Sequence, residues 1–141
     1  MRVSVDLQGA KELAALLDRV PLDLTFEMKR DALVAGAEFI RREAETLAPR
    51  RPGAGQHLAD RIIIDARSES EIANSEDAFA SDAVVDIGPE KDAFYGYFHE
   101  FGTSVHGAQP FMRPAFDTQV ETAKSVAFTR LWQFVRKALR L

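Results

Sequence analysis

The sequence predicts an α+β fold: a small antiparallel sheet packed against two long helices, with one or two short helices beside them. Three observations lead there. Residues 23–48 and 114–141 repeat apolar side chains at the helical period. Residues 61–66 and 82–88 are short runs rich in Ile and Val, as strands are. The chain is 141 residues long, close to the commonest size of one domain, so these elements share a single core.

The elements follow in order. Val3, Val5 and Leu7 alternate with polar neighbours, which predicts a short half-buried strand ended by Gly9. Leu13, Leu16, Leu17 and Val20 mark a helix of two to three turns, stopped by Pro21. Asp23 can cap the next helix, which runs to Ala48 before Pro49. Its apolar face holds Leu24, Met28, Ala35 and Phe39, with Leu33, Ala37, Ile40, Ala44 and Leu47 beside them. That face is broad enough to lie on a sheet or a second helix. Gly36 within it either permits a close approach or only weakens the helix.

Residues 50–58 read as a basic, Gly-rich mobile loop. No Gly-Lys-Ser/Thr ending follows, so it lacks the chemistry of a phosphate loop. The strand Arg61–Ala66 contains Ile62, Ile63 and Ile64 in succession, which predicts cover on both faces. Residues 68–82 carry five acids and no base, and read as a mobile loop or hairpin tip. The strand Asp82–Gly88 can return across this connection to pair antiparallel with the first. The last helix, Pro114–Leu141, has a stripe of Phe116, Val120, Ala123, Ala127, Leu131, Phe134 and Ala138. Trp132 and Val135 lie off that stripe and are expected to be partly exposed. Acids near its start and bases near its end suit the helix dipole.

Composition excludes several classes. The chain has no cysteine, hence no disulfide scaffold and no thiolate metal site. A net charge of −4 disfavours tight binding to duplex DNA. No apolar run approaches the length of a membrane span, and the first residues are not expected to form a signal peptide. His99 and His106 are seven apart with Gly102 between them, which is not the zinc-helix spacing. No nucleophile elbow or dinucleotide fingerprint is present. No catalytic residue, metal ligand or cofactor is expected, and the protein is read as not being an enzyme.

The densest stretch is Phe94–Asp117, FYGYFHEFGTSVHGAQPFMRPAFD. Phe94, Tyr97, Phe98 and Phe101 recur at helical spacing after Gly88-Pro89-Glu90, and Gly102 suits a helix stop. Alternation of Tyr95, Tyr97, His99 and Phe101 also fits a strand; the short helix is favoured. Glu100 must be paired, hydrogen-bonded or turned to water. It is read as an acceptor that pins the turn, with the N–H groups of Gly102–Ser104, the Thr103 hydroxyl and the Arg113 guanidinium as candidate partners. A solvent-facing Glu is the plain alternative. Pro110 and Pro114 bracket Phe111, Met112 and Arg113, restrict the backbone and aim the last helix.

This stretch resembles the motif of small tail-completion, or head–tail joining, proteins of long-tailed bacteriophages, prophages and gene transfer agents. The resemblance rests on Tyr97, Phe98, Glu100, Phe101, Gly102, Thr103, Pro110, Phe111, Met112, Arg113, Pro114 and Ala115. His99 stands where the family is often aliphatic. The resemblance implies a structural virion protein of the particle neck, assembled in the host cytoplasm. It would form a homo-oligomeric ring, a hexamer, that completes or terminates the tail. Its partners would be the head connector and the tail tube protein, with DNA passing through the lumen without sequence-specific binding. A closed ring needs two different patches per chain. The candidates are Ile62 and Ile64 on the strand, and Trp132 and Val135 on the last helix. The alternative from another class is a small cytoplasmic regulatory module, associated with nucleic acid through Arg50, Arg51 and the basic helix end.

Overall fold

The computed structural model describes residues 25–50, 52–53, 57–75 and 83–140. The strand expected at 3–7, the helix at 13–20 and the cap at Asp23 lie outside the described residues. So do parts of both expected loops.

The architecture is α+β, with a two-stranded antiparallel sheet and long helices. Helix α1 spans Phe26–Leu47 and is capped by Thr25, whose hydroxyl accepts from the Met28 N–H. Ala48 is extended, as the residue before a proline must be. Ala32, Gly36, Ala37, Ile40 and Ala44 form its buried face. These residues are mostly small, so a partner helix can come close. Helix α4, Met112–Leu139, does so. A Cβ built on Gly36 would lie 2.4 Å from the Ala123 carbonyl oxygen. Gly36 is therefore there for close approach. Asp31 pairs with Arg130 further along the same contact, which makes the two helices antiparallel.

The sheet packs on α1 as well. Strand β1 is Ile62–Ala66 and strand β2 is Val85–Pro89, with Ile62 opposite Pro89, Ile64 opposite Ile87 and Ala66 opposite Val85. Flanking bonds, Glu90 N–H to Arg61 O and Arg67 N–H to Val84 O, extend the ladder. Arg61 precedes the strand in a 3-10 turn, Leu58–Arg61, and its side chain bonds Glu90 and pairs with Asp92. Leu58, at the end of the expected basic loop, is buried.

Three expectations need correction here. The Ile run is covered on one face only: Ile62 is in the core, whereas Ile63 is 41% exposed. Period-two alternation turns Ile62, Ile64 and Ala66 toward α1 and Ile63 outward. The proposed docking patch of Ile62 and Ile64 is thus an inward surface. Second, the first half of the acidic connection is helix α2, Glu69–Ala73. Ser68 and Glu71 form a capping box, each side chain bonding the other's N–H, and Ile72 is fully buried. Third, Phe116 and Ala138, at the ends of the α4 stripe, are exposed, while Ala123 in its middle is buried.

The core joins Ile40, Ala44, Leu58, Ile62, Phe111 and Ala115 with small neighbours. Phe111 and Ile72 are the most deeply buried large side chains among the described residues, with Ile62, Leu58 and Ile40 close behind. Each contributes about 1.5–3 kcal/mol by leaving water. Much of the remaining apolar bulk stays outside.

Candidate functional site

The site is the motif that joins the sheet to α4. After β2 comes a 3-10 turn, Lys91–Ala93, and then helix α3, Gly96–Phe101. Gly102 ends α3 with φ 76 and ψ 174, a region essentially reserved for glycine. A Cβ there would also meet the Ala108 nitrogen at 2.8 Å. The loop closes on itself. The Thr103 hydroxyl accepts from His106 N–H at 3.1 Å, and Thr103 N–H donates to His106 O at 2.8 Å. Gln109 N–H donates back to His99 O at 2.7 Å. That bond returns the chain to α3 just before Pro110.

Glu100 completes the motif. One carboxylate oxygen accepts from the N–H groups of Phe111 at 2.8 Å and Met112 at 2.9 Å; the other accepts from Arg113 at 3.0 Å. These are among the free donors that every helix leaves at its start. Phe111, the residue at the cap position of α4, has no side chain able to take them. Glu100 takes them from 11 to 13 residues away. Its acceptor role agrees with the sequence reading, but the partners differ. The carboxylate pins the start of α4 and not the Gly102–Ser104 turn, and Arg113 serves through its N–H and its charge. This also explains why α4 begins at Met112, two residues before Pro114. Partial burial pushes the Glu100 carboxyl upward, but the three N–H donors and Arg113 outweigh it and hold the group below its ordinary value.

The motif presents aromatics to solvent. Phe111 is buried beneath it, whereas Tyr97 is 60% and Phe101 77% exposed. Phe94 and Phe98 are also exposed and meet edge to face, centroids 6.1 Å apart. Tyr97, Glu100, Phe101, Pro110, Phe111 and Arg113 share a cleft of about 650 Å³ with Phe116 and Asp117. Phe98 and Thr103 face a second depression, with His99, His106 and Gln109. Pro114 sits in the first turn of α4. All ten motif residues therefore fall in one structural unit.

The far end of α4 carries a separate surface. Trp132 is 47% exposed, Val135 is half-buried, and Phe128 projects beside them. Phe128 is not part of the apolar stripe that the sequence shows, because it lies one position off Ala127 and so about 100° around the helix. Phe116 was assigned to the buried stripe, yet lines the cleft. Among the described residues, no group of three or more His, Asp or Glu could hold a metal ion, and no helix is long and apolar enough to cross a membrane.

Fold and site together define a small α+β domain that fixes an aromatic surface with a turn, a proline bracket and a carboxylate cap. Its family follows from a profile match over residues 11–102, described as "Bacteriophage HK97-gp10, putative tail-component". The chain belongs to this HK97-gp10-like family of bacteriophage tail components. The matched stretch runs through α3 and stops at Gly102, before the Pro110–Pro114 bracket. No curated protein and no solved structure matches the chain.

Proposed function

We propose that the protein is a structural component of the virion neck, which assembles into a ring of six copies and joins the tail to the head connector. One observation carries this reading beyond family membership: large aromatics stand exposed on a rigidly built motif at one end of α4, and a second apolar patch stands at its other end. A closed ring requires two different patches of this kind on each chain. The tail tube protein and the connector would bind the faces left over. The net charge of −4 suits a lumen that lets DNA pass without gripping it. The work is assembly by surface complementarity, without turnover.

Light scattering across a concentration series, with and without purified tails, tests this. A discrete closed oligomer, or saturable capture by tails lacking the protein, supports it. A chain that stays monomeric and ignores tails, but binds DNA in a salt-dependent way, replaces it with the regulatory-module reading.

A further inference from the structure

We infer that the cleft formed by α3 and the start of α4 receives the Phe128–Trp132 patch of a second copy of this chain, an assignment that rests on the ring reading above. The two surfaces are distinct and point apart. Phe116 and Trp132 are 16 residues apart on one helix, which separates them by roughly 24 Å and about 160° of rotation. A surface cannot meet its own partner on the same molecule at that separation. Repeated between copies, the contact runs head to tail, which is the heterologous geometry that closes into rings.

Shape and charge select this occupant. The cleft is walled by Tyr97, Phe101, Met112 and Phe116, and about 650 Å³ admits an aromatic side chain. Phe128 and Trp132 are large exposed apolar groups at the opposite end. The charged side chains that line the cleft are Glu100 and Asp117 against Arg113, so its lining is net acidic. Asp31 of α1 pairs with Arg130, which leaves Arg136, Lys137 and Arg140 as the basic groups of segment 128–140, a segment that contains no acid. The helix dipole accounts for bases in the last turn of α4, but not for the exposed rings beside them. An acidic apolar hollow and a basic apolar knob on one chain are complementary, while two hollows or two knobs would repel.

The chain has no cysteine, so single cysteines report contacts cleanly. Tyr97→Cys and Gln133→Cys variants are prepared separately, checked for the wild-type melting midpoint, mixed at high concentration and oxidised. The inference expects a disulfide dimer from the mixture and little from either variant alone. Strong self-linking of either variant, or no mixed dimer, overturns it. A second arm reads assembly by light scattering. Arg136→Glu with Lys137→Glu should reduce the oligomer at least tenfold, and adding Asp117→Lys with Glu121→Lys should restore it. If the wild type forms a closed ring that both charge sets leave intact, this pairing fails while the ring reading stands. If the mixed dimer forms but only open chains grow from it, the pairing stands and the closed ring fails.

Discussion

Glu100 is the residue on which the motif turns, and its effect can be read from stability alone. Replacing it with Gln keeps one acceptor oxygen for Phe111 and Met112 but sets an NH2 group against the Arg113 N–H. Loss of that bond, and of the charge assistance in the others, should destabilise the fold by about 1–3 kcal/mol. Urea unfolding measures this, and an unchanged midpoint would remove the capping role. The pH dependence has a definite sign. Folding holds the Glu100 carboxyl below its ordinary value of 4.5. Its contribution is therefore complete above pH 4.5 and is lost as the pH falls through that value toward the folded pKa. The gap between wild type and Glu100→Gln should narrow in acid. A gap that stays constant from pH 7 to pH 3 would mean that the carboxylate charge contributes nothing.

At the scale of elements, the α1–α4 contact is set by Gly36. Ala is the better helix former by about 0.5–1 kcal/mol, so an unconstrained Gly36→Ala change would stabilise α1. Here the new methyl would strike backbone, the Ala123 carbonyl, which cannot swing aside as a flexible side chain could. The net effect should be destabilisation by about 1–3 kcal/mol, the usual result of overpacking; thermal melting decides the sign. This contact shows where sequence reading stops. The apolar period located both long helices, but Gly36 was equally consistent with a weak point, because its role depends on a backbone atom 87 residues away. Glu100 was legible as an acceptor for the same reason that its partners were not. An apolar setting demands a hydrogen bond, whereas the donors lie across a loop whose closure only the fold supplies. Ile62 was misjudged because three consecutive isoleucines hide the period of two. Helix α2 is hidden in the sequence by its charge run, although Ser68 and Glu71 have the spacing of a capping box.

For the whole molecule, the question is what the exposed aromatics are for. A core built on Ala32, Ala37, Ala44, Ala59, Ala93 and Ala115 packs tightly but buries little bulk per residue, and the large rings lie mostly outside it. That division predicts separable effects on folding and on assembly. Trp132 is half-exposed and makes no hydrogen bond among the described residues, so Trp132→Ala should change monomer stability by only about 0.5 kcal/mol or less. The same truncation removes the largest ring of the basic patch and should weaken association much more, as loss of a central aromatic anchor does, by about 2 kcal/mol or more. Thermal melting and sedimentation on one preparation compare the two. Raising salt from 0.1 M to 1 M shortens the screening length from roughly 10 Å to 3 Å, so it should weaken the oligomer through its charges while its apolar contact persists. A Trp132→Ala variant that melts several degrees early, with no assembly defect beyond its unfolded fraction, would move Trp132 into the core. A variant with a normal melting midpoint that no longer assembles would show that the far end of α4 is kept apolar for a neighbour.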